Sequence, residues 1–401
     1  MSDTLPSSPK VTRLTPGLVL LLASVAGLAV ANLYYNQPIL GLIAQSFSVP
    51  GALAAPIAAA TQIGYAIGLV LLVPLGDVLN RRRLILAQAA GLVVALVAAA
   101  AAPSLSILLV ASACIGIAAT IAQQIIPIVA ELAEPERRGR MVGMVMSGLL
   151  AGILLARTVS GAVGSAFGWR PMFWLGAVVA LGMMAALLAF LPATEPRNRQ
   201  PYGRLLASLF MVICVYRPLR RASLVQALLF AGFSAFWATL TLELSRPAYG
   251  LGPAVAGLFG VLGMVGVGVA PLAGGLSDRR GPDGVTRLGI LGVLASFLIF
   301  GFVPSLAGLV LGVVLLDAGL QLAMVSQQSI ILALDDAARA RINTVFVTAL
   351  FIGGAVGSAG ASVAWHYGNW SGVSAFGAVL ALVALIVHRW GFRGPDQVPA
   401  H

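Results

Sequence analysis

Long apolar runs separated by short polar intervals dominate this chain. Crossing a hydrocarbon core of ~30 Å takes roughly 20 mostly apolar residues in helical form. Twelve stretches fit that pattern: 16 to 44, 53 to 76, 84 to 102, 105 to 131, 141 to 166, 171 to 192, 222 to 244, 254 to 276, 288 to 303, 305 to 332, 342 to 366 and 370 to 388. They are numbered here as spans one to twelve. The pattern predicts an all-α membrane protein. Span one follows a polar leader, Met1 to Thr15, and is too long for a signal-peptide core, so it is expected to be retained as a helix.

The longest polar interval, Pro192 to Arg221, carries Pro196, Pro201 and Pro218 and separates six spans from six. It implies an N-terminal six-helix bundle at 1–195, a linker at 196–220 and a C-terminal six-helix bundle at 221–401. Within the interval, Leu205, Leu206, Leu209, Phe210 and Ile213 recur at helical spacing. That piece fits a helix lying on the anionic leaflet or one packed on the bundle. The halves repeat each other. Span two ends in Pro74-Leu75-Gly76-Asp77 before Arg81-Arg82-Arg83, and span eight ends in Pro271-Leu272-Ala273-Gly274-Gly275 before Asp278-Arg279-Arg280. Gln123-Gln124 in span four and Gln327-Gln328 in span ten precede charged loops ending at Arg140 and Arg341. Both loops lead into Gly-rich helices, which close at Gly168-Trp169 and Asn369-Trp370. Such duplication predicts two pseudo-twofold-related bundles with a substrate site between them near the midplane.

Composition agrees: 59% of positions are hydrophobic and 9% charged, against about 45–50% and 25% in soluble chains. A net charge of +11 would fit a nucleic-acid binder, but its placement excludes that reading. Of the 24 Lys+Arg, 21 fall in the termini, the linker and the loops on one side; Arg170 and Arg246 lie outside these, and Arg157 lies inside span five. The positive-inside rule reads this as an even number of spans with both termini cytoplasmic. Cys114 and Cys214 fall on segments at different depths, so no disulfide is expected. His366, His388 and His401 lack metal-ligand spacing, Gly266-Val267-Gly268 lies inside a span, and there is no nucleophile motif or phosphate cradle. Neither metal, cofactor nor enzymatic activity is expected.

The loop after span two, Gly76-Asp77 to Arg83, resembles the signature of the major facilitator superfamily, and Gly274, Asp278, Arg279 and Gly281 form a second copy. The first copy departs from it at Val73, Val78 and Asn80. The segment Asn32-Leu33-Tyr34-Tyr35-Asn36-Gln37-Pro38 is similar to bacterial efflux-permease members, drug and sugar exporters among them. The resemblance spans all twelve helices. It implies the major facilitator fold, a bacterial inner-membrane location and a monomer in lipid. It also implies a gating role for Asp77, Arg81, Asp278 and Arg279, with Asp77 meeting the start of span eleven and Asp278 the start of span five. A carboxylate is favoured there by the unpaired N–H groups and dipole of a helix N-terminus. Two departures bear on direction and coupling. Ala156-Arg157 stands where antiporter members carry Gly-Pro, and Ser112 where proton-coupled members commonly carry arginine.

Ionisable residues deep in a span cost about 2.5–3.5 kcal/mol on an insertion scale, so each is a functional candidate. Asp317 lies mid-way along span ten. Because burial disfavours a charged carboxylate, an acid at that depth can take up and release a proton; proton coupling or binding of a cationic solute is preferred to a structural pair. Arg157 fits an anion-binding group or a counter-charge to Asp317. Glu243 is read first as an interfacial partner of Arg246 at i+3 and second as a further proton-coupling group. Around these, Tyr34, Tyr35, Asn36 and Gln37 precede the helix-interrupting Pro38. Gln62, Tyr65, Gln123, Gln124, Gln226, Trp237, Gln321, Gln327 and Gln328 add donors and acceptors, concentrated in spans one, four, seven and ten. By resemblance those spans line the central cavity. The sequence therefore points to a secondary transporter exporting a small organic solute in exchange for protons. Proton-coupled uptake of a small organic anion and a transporter-shaped sensor are the alternatives.

Overall fold

A computed structural model describes residues 15–134, 136–192 and 200–390, excluding the side chains of residues 264, 267, 270, 271, 278 and 390. Within these residues the apolar runs are helical, and they break where a polar side chain, proline or glycine interrupts the backbone ladder. Span one is α1 (Pro16–Ala31), a 3₁₀ turn (Gln37–Ile39) and α2 (Leu40–Ser46). The amide nitrogen of Asn32 donates to the carbonyls of Leu28 (2.7 Å) and Ala29 (3.3 Å) as α1 ends. Pro38 has no N–H to continue a helix. This irregular backbone is tolerated at membrane depth because residues 31–40 are all buried in protein.

Spans two to six follow as α3 (Ala55–Val78), α4 (Arg81–Ala100), α5 (Leu105–Ala119) with α6 (Ile121–Leu132), α7 (Arg138–Phe167) and α8 (Trp169–Phe190). The linker holds α9 (Tyr202–Val215), and span seven is α10 (Arg217–Leu244). Span eight breaks at Gly263 into α11 (Pro253–Leu262) and α12 (Met264–Arg280); spans nine and ten are α13 (Pro282–Phe302) and α14 (Leu306–Leu332). Spans eleven and twelve are joined in α15 (Arg339–Trp390) across a bend at Asn369. Among the described residues nine helices are long and apolar enough to cross a membrane, counting α15 once. Spans one and eight, whose pieces are each too short to cross alone, and the bend in α15 account for the remaining three of the twelve.

The repeat read from loop chemistry reappears in backbone packing. In the N-terminal half, span five lays Gly148 and Gly152 on span one, so that an added Cβ would fall 2.4 Å from the Ala23 carbonyl and 2.1 Å from that of Gly27. In the C-terminal half, span eleven lays Gly353 and Gly357 on span seven, where the corresponding distances to the Ala227 and Ala231 carbonyls are 2.1 and 2.0 Å. Lipid gives no hydrophobic drive for helices to associate, so small residues that let backbones meet define such contacts. The spans five–six and eleven–twelve corners both use positive φ, 85° at Gly168 and 49° at Asn369; glycine adopts this freely and asparagine more readily than most. A further repeat missed in sequence is Pro-Ser-Leu at 103–105 and 304–306, where Ser104 and Ser305 cap spans four and ten. Two related six-helix bundles result.

Large apolar side chains such as Leu20, Val94, Val110, Phe190 and Phe302 point outward. In water they would form a liability; in lipid they are the solvated face. The linker helix α9 packs on the bundle. Its Leu209 and Val212 are buried, the Tyr202 hydroxyl donates to the Leu71 carbonyl of span two (2.7 Å), and nearby Tyr216 donates to Asp335 (2.8 Å). Phe210 and Met211 on its other face stay exposed.

The halves meet on the side opposite the arginine-rich loops. There Thr241 donates to the Pro38 carbonyl (3.2 Å), Gln62 to the Ser234 hydroxyl (3.3 Å), Thr158 to the Gly257 carbonyl (3.1 Å), and the Ala254 N–H to Ser165 (3.0 Å). Gly161 sits so close to span eight that its Cβ would fall 2.4 Å from the Pro253 carbonyl and 2.9 Å from Gly257 Cα.

Candidate functional site

Between the halves lies a cavity of about 230 Å³. Its lining comes from residues 146–157 of span five, 260–266 of span eight, 317–328 of span ten and 346–351 of span eleven, with Tyr34 and Tyr65 from spans one and two. Read along each span, these residues run from mid-depth towards the arginine-rich loops, so the cavity extends to that side while the opposite side is sealed. Two larger grooves, of about 820 and 800 Å³, lie on the flank of the N-terminal half and contain no acid.

Of the described residues lining the central cavity only Arg157 and Asp317 are charged. Arg157 is 4% exposed. Its guanidinium carbon lies 4.0 Å from the centre of the Trp237 ring, 4.6 Å from Tyr34 and 5.5 Å from Phe233, contacts that replace part of the lost hydration. Its Nε donates to Gln37 Oε1 at 2.8 Å, whereas its Nη2 is buried without a partner. Asp317 Oδ2 is likewise buried without a partner. The two face one cavity without a contact ion pair, and each still feels the charge of the other across it.

Glycines of span eight flank both charges, most tightly at Arg157. A Cβ on Gly263 would stand 3.6 Å from Asp317 Oδ2, one on Gly266 3.5 Å from Asp317 Cβ, and one on Gly260 3.0 Å from Arg157 Cβ. The break in span eight, where the Gly263 N–H bonds to the Gly260 carbonyl at 3.1 Å, presents a bare surface between acid and base. Sequence reasoning missed this: glycine at every third position, 257, 260, 263 and 266, was its only sign. It also missed the aromatic wall. Phe230 and Phe351 lie 5.6 Å apart between ring centres, and Tyr65 packs on Phe351 at 4.4 Å.

The structure brings Tyr34, Gln37, Tyr65, Gln123, Arg157, Trp237, Asp317, Gln321 and Gln328 to the cavity or directly behind its wall. Gln123 donates to the Tyr65 hydroxyl at 3.2 Å. Other candidates turn elsewhere. Asn36 donates to Thr61 (2.9 Å), the Tyr35 carbonyl accepts from Ser160, and Gln124 donates to the Leu72 carbonyl (2.6 Å), all inside the N-terminal half. Gln62 joins the sealed interface. Gln226 and Gln327 are buried in the C-terminal half without lining the cavity. Glu243 is paired with Arg246 at 3.1 Å near the far end of span seven.

At the arginine-rich side, Arg81 holds Asp77, the Gly76 carbonyl (3.0 Å) and Glu131 (3.1 Å) within its own half. The N–H groups of Ala337 and Ala338, where span eleven begins, are taken by Asp335 at 2.8 and 3.2 Å. The expected meeting of Asp77 with span eleven is therefore not made here, consistent with halves that part on this side. Arg279 is exposed, and the side chain of Asp278 lies outside the described residues. Cys114 and Cys214 are free.

Broken-helix spans and a cavity shared by two related bundles define a membrane carrier. The chain belongs to the Major Facilitator Superfamily, whose family profile matches residues 20–358. It is 39% identical over 381 residues to an uncharacterized transporter, YgaY, of Escherichia coli O157:H7, covering 95% of this chain and 97% of that protein. It is 29% identical over 325 residues to the 3-(3-hydroxy-phenyl)propionate transporter of Escherichia coli K12, covering 78% and 76% respectively. Among solved structures it resembles the nucleoside transporter NupG in its D323A variant, with a TM-score of 0.77 at 15% identity, covering 94% of this chain and 99% of that one. That likeness speaks to the fold. The protein is accordingly a multi-pass membrane transporter and not an enzyme.

Proposed function

We propose that the protein is a proton-coupled secondary transporter that moves a small organic solute across the bacterial inner membrane by alternating access, with both termini in the cytoplasm. The observation that carries this reading is the unpaired Arg157 and Asp317 in one cavity. Kept apart, the acid exchanges a proton and the base meets the solute. The 1–195 and 221–401 units rock about the contacts that seal one side, and the linker at 196–220 spans them.

Export in exchange for protons follows from the resemblance of residues 32–38 to efflux members. Uptake of an organic anion together with a proton is the second reading. The unshared guanidinium edge favours it, because an anion on Arg157 leaves Asp317 as the uncompensated charge and calls for a proton there. The name of the 3-(3-hydroxy-phenyl)propionate transporter, a relative over most of both chains, supports an organic acid as cargo. Proteoliposomes under an imposed pH gradient test the proposal. Saturable counterflow without conductance, with net flux set by the gradient, is expected. Flux indifferent to the gradient would remove proton coupling, and ungated leak would replace the carrier with a pore. Solute alkalinising the outside as it enters marks symport; acid-driven exit marks exchange.

A further inference from the structure

Behind the cavity wall, hydrogen-bond donors outnumber acceptors in a way the transport reading alone does not require. Arg157 Nη2, Gln37 Nε2 and Trp237 Nε1 are all buried without a partner, on residues 4%, 1% and 2% exposed. They belong to one cluster. Gln37 spends its oxygen on Arg157 Nε at 2.8 Å, which places its amide nitrogen beside the guanidinium, and the Trp237 ring lies 4.0 Å from the guanidinium carbon. Buried donors are ordinarily satisfied, and three orphans around one cation call for an anionic acceptor with two lone-pair-rich oxygens.

We propose that this cluster is a carboxylate subsite, with Arg157 binding end-on through its Nη atoms, and that its ligand is a single-ring aromatic monocarboxylic acid. Because Nε is taken by Gln37, the carboxylate meets the outer edge of the guanidinium, with Gln37 and Trp237 packed behind it. The remaining wall chooses the body of the ligand. Phe230, Phe233, Phe351 and Tyr65 line the same cavity as Arg157 and Asp317, a surface that prefers a flat ring by edge-to-face or offset contact. A volume of about 230 Å³ lies below the ~300–1,000 Å³ of drug-sized pockets, which favours a small ligand. One cation among the lining residues admits one carboxylate. Trp237 and Gln37 are thereby specificity-determining residues. The inference rests on the organic-anion reading above, but its test does not depend on flux.

The test is calorimetric titration of the purified full-length protein in lipid nanodiscs with 3-phenylpropanoate, its neutral isostere 3-phenylpropanamide, and the ringless acid hexanoate. The aromatic acid is expected to bind at least about tenfold more tightly than either of the others, the scale of one lost charge-assisted hydrogen bond. Arg157→Gln should abolish the preference of acid over amide. Trp237→Phe keeps a ring under the guanidinium but removes the N–H, and should weaken the acid several-fold and more than the amide. Equal affinity for acid and amide in the wild type, or an unchanged preference in Arg157→Gln, would overturn the carboxylate subsite. Hexanoate binding as tightly as 3-phenylpropanoate would overturn the aromatic assignment, and no binding of any of the three would overturn both. Binding as predicted without any flux would leave the subsite standing and remove the transport mechanism. Gradient-driven flux of neutral or cationic solutes alone would do the reverse.

Discussion

Asp317→Asn is expected to reduce pH-gradient-driven accumulation to the level of protein-free liposomes while leaving solute counterflow at equal pH. Asparagine preserves the size and half the hydrogen-bonding of the carboxylic acid but cannot exchange a proton. Among the described residues lining the cavity Asp317 is the single acid, its Oδ2 has no hydrogen-bond partner, and no base stands in direct contact with it. Removing its charge therefore breaks no ion pair, and folding should survive. The measurement is paired: accumulation under a gradient, and exchange of labelled for unlabelled solute without one. Loss of both would make Asp317 structural. Retention of gradient-driven accumulation with wild-type pH dependence would take it out of the mechanism.

The second large effect is expected at the sealed side. Gly161→Leu puts a branched side chain where even a Cβ would fall 2.4 Å from the Pro253 carbonyl and 2.9 Å from Gly257 Cα. Both neighbours are backbone, so neither can yield by changing rotamer. Overpacking typically costs about 1–3 kcal/mol. Here it burdens only the state in which spans five and eight touch, and that difference shifts a two-state balance by roughly 5- to 150-fold. The variant should fold, favour the state open on the side away from the arginine loops, and transport slowly. Thr241, 2% exposed at the sealed interface, reports the change: as cysteine it should resist a membrane-impermeant maleimide in the wild type and react in the Gly161→Leu background. Equal protection in both would mean that the interface is not a gate.

What the sequence conveyed and what it withheld have one physical cause. Span positions were legible because hydropathy is local and a bilayer demands it over a fixed length. Arg157 and Asp317 stood out because charge at that depth is rare. Helix rotation was not legible. Lipid tails are as apolar as a bundle interior, so no polar face marks the outside, and Tyr35, Asn36 and Gln124 were as good candidates as Tyr34, Gln37 and Gln123 until the packing of spans one, two and four was seen. The glycines of span eight were visible as small residues, but not their partners. The access state lies beyond any reading of residues, because one sequence encodes both states. Asp77 illustrates this: its expected contact belongs to halves closed at the arginine-rich side, and here Asp335 caps span eleven instead.

The central claim, that two bundles expose one cavity alternately to either side, is tested most directly by electron–electron distance measurement across the arginine-rich side. Spin labels at Gly139→Cys and Ala340→Cys, exposed positions at the starts of spans five and eleven, would be placed in a chain whose Cys114 and Cys214 are changed to serine. Two distance populations are predicted, the longer matching this structure, with Gly161→Leu moving weight to the shorter. A single distance, the same in wild type and Gly161→Leu in protein that still transports, would contradict it.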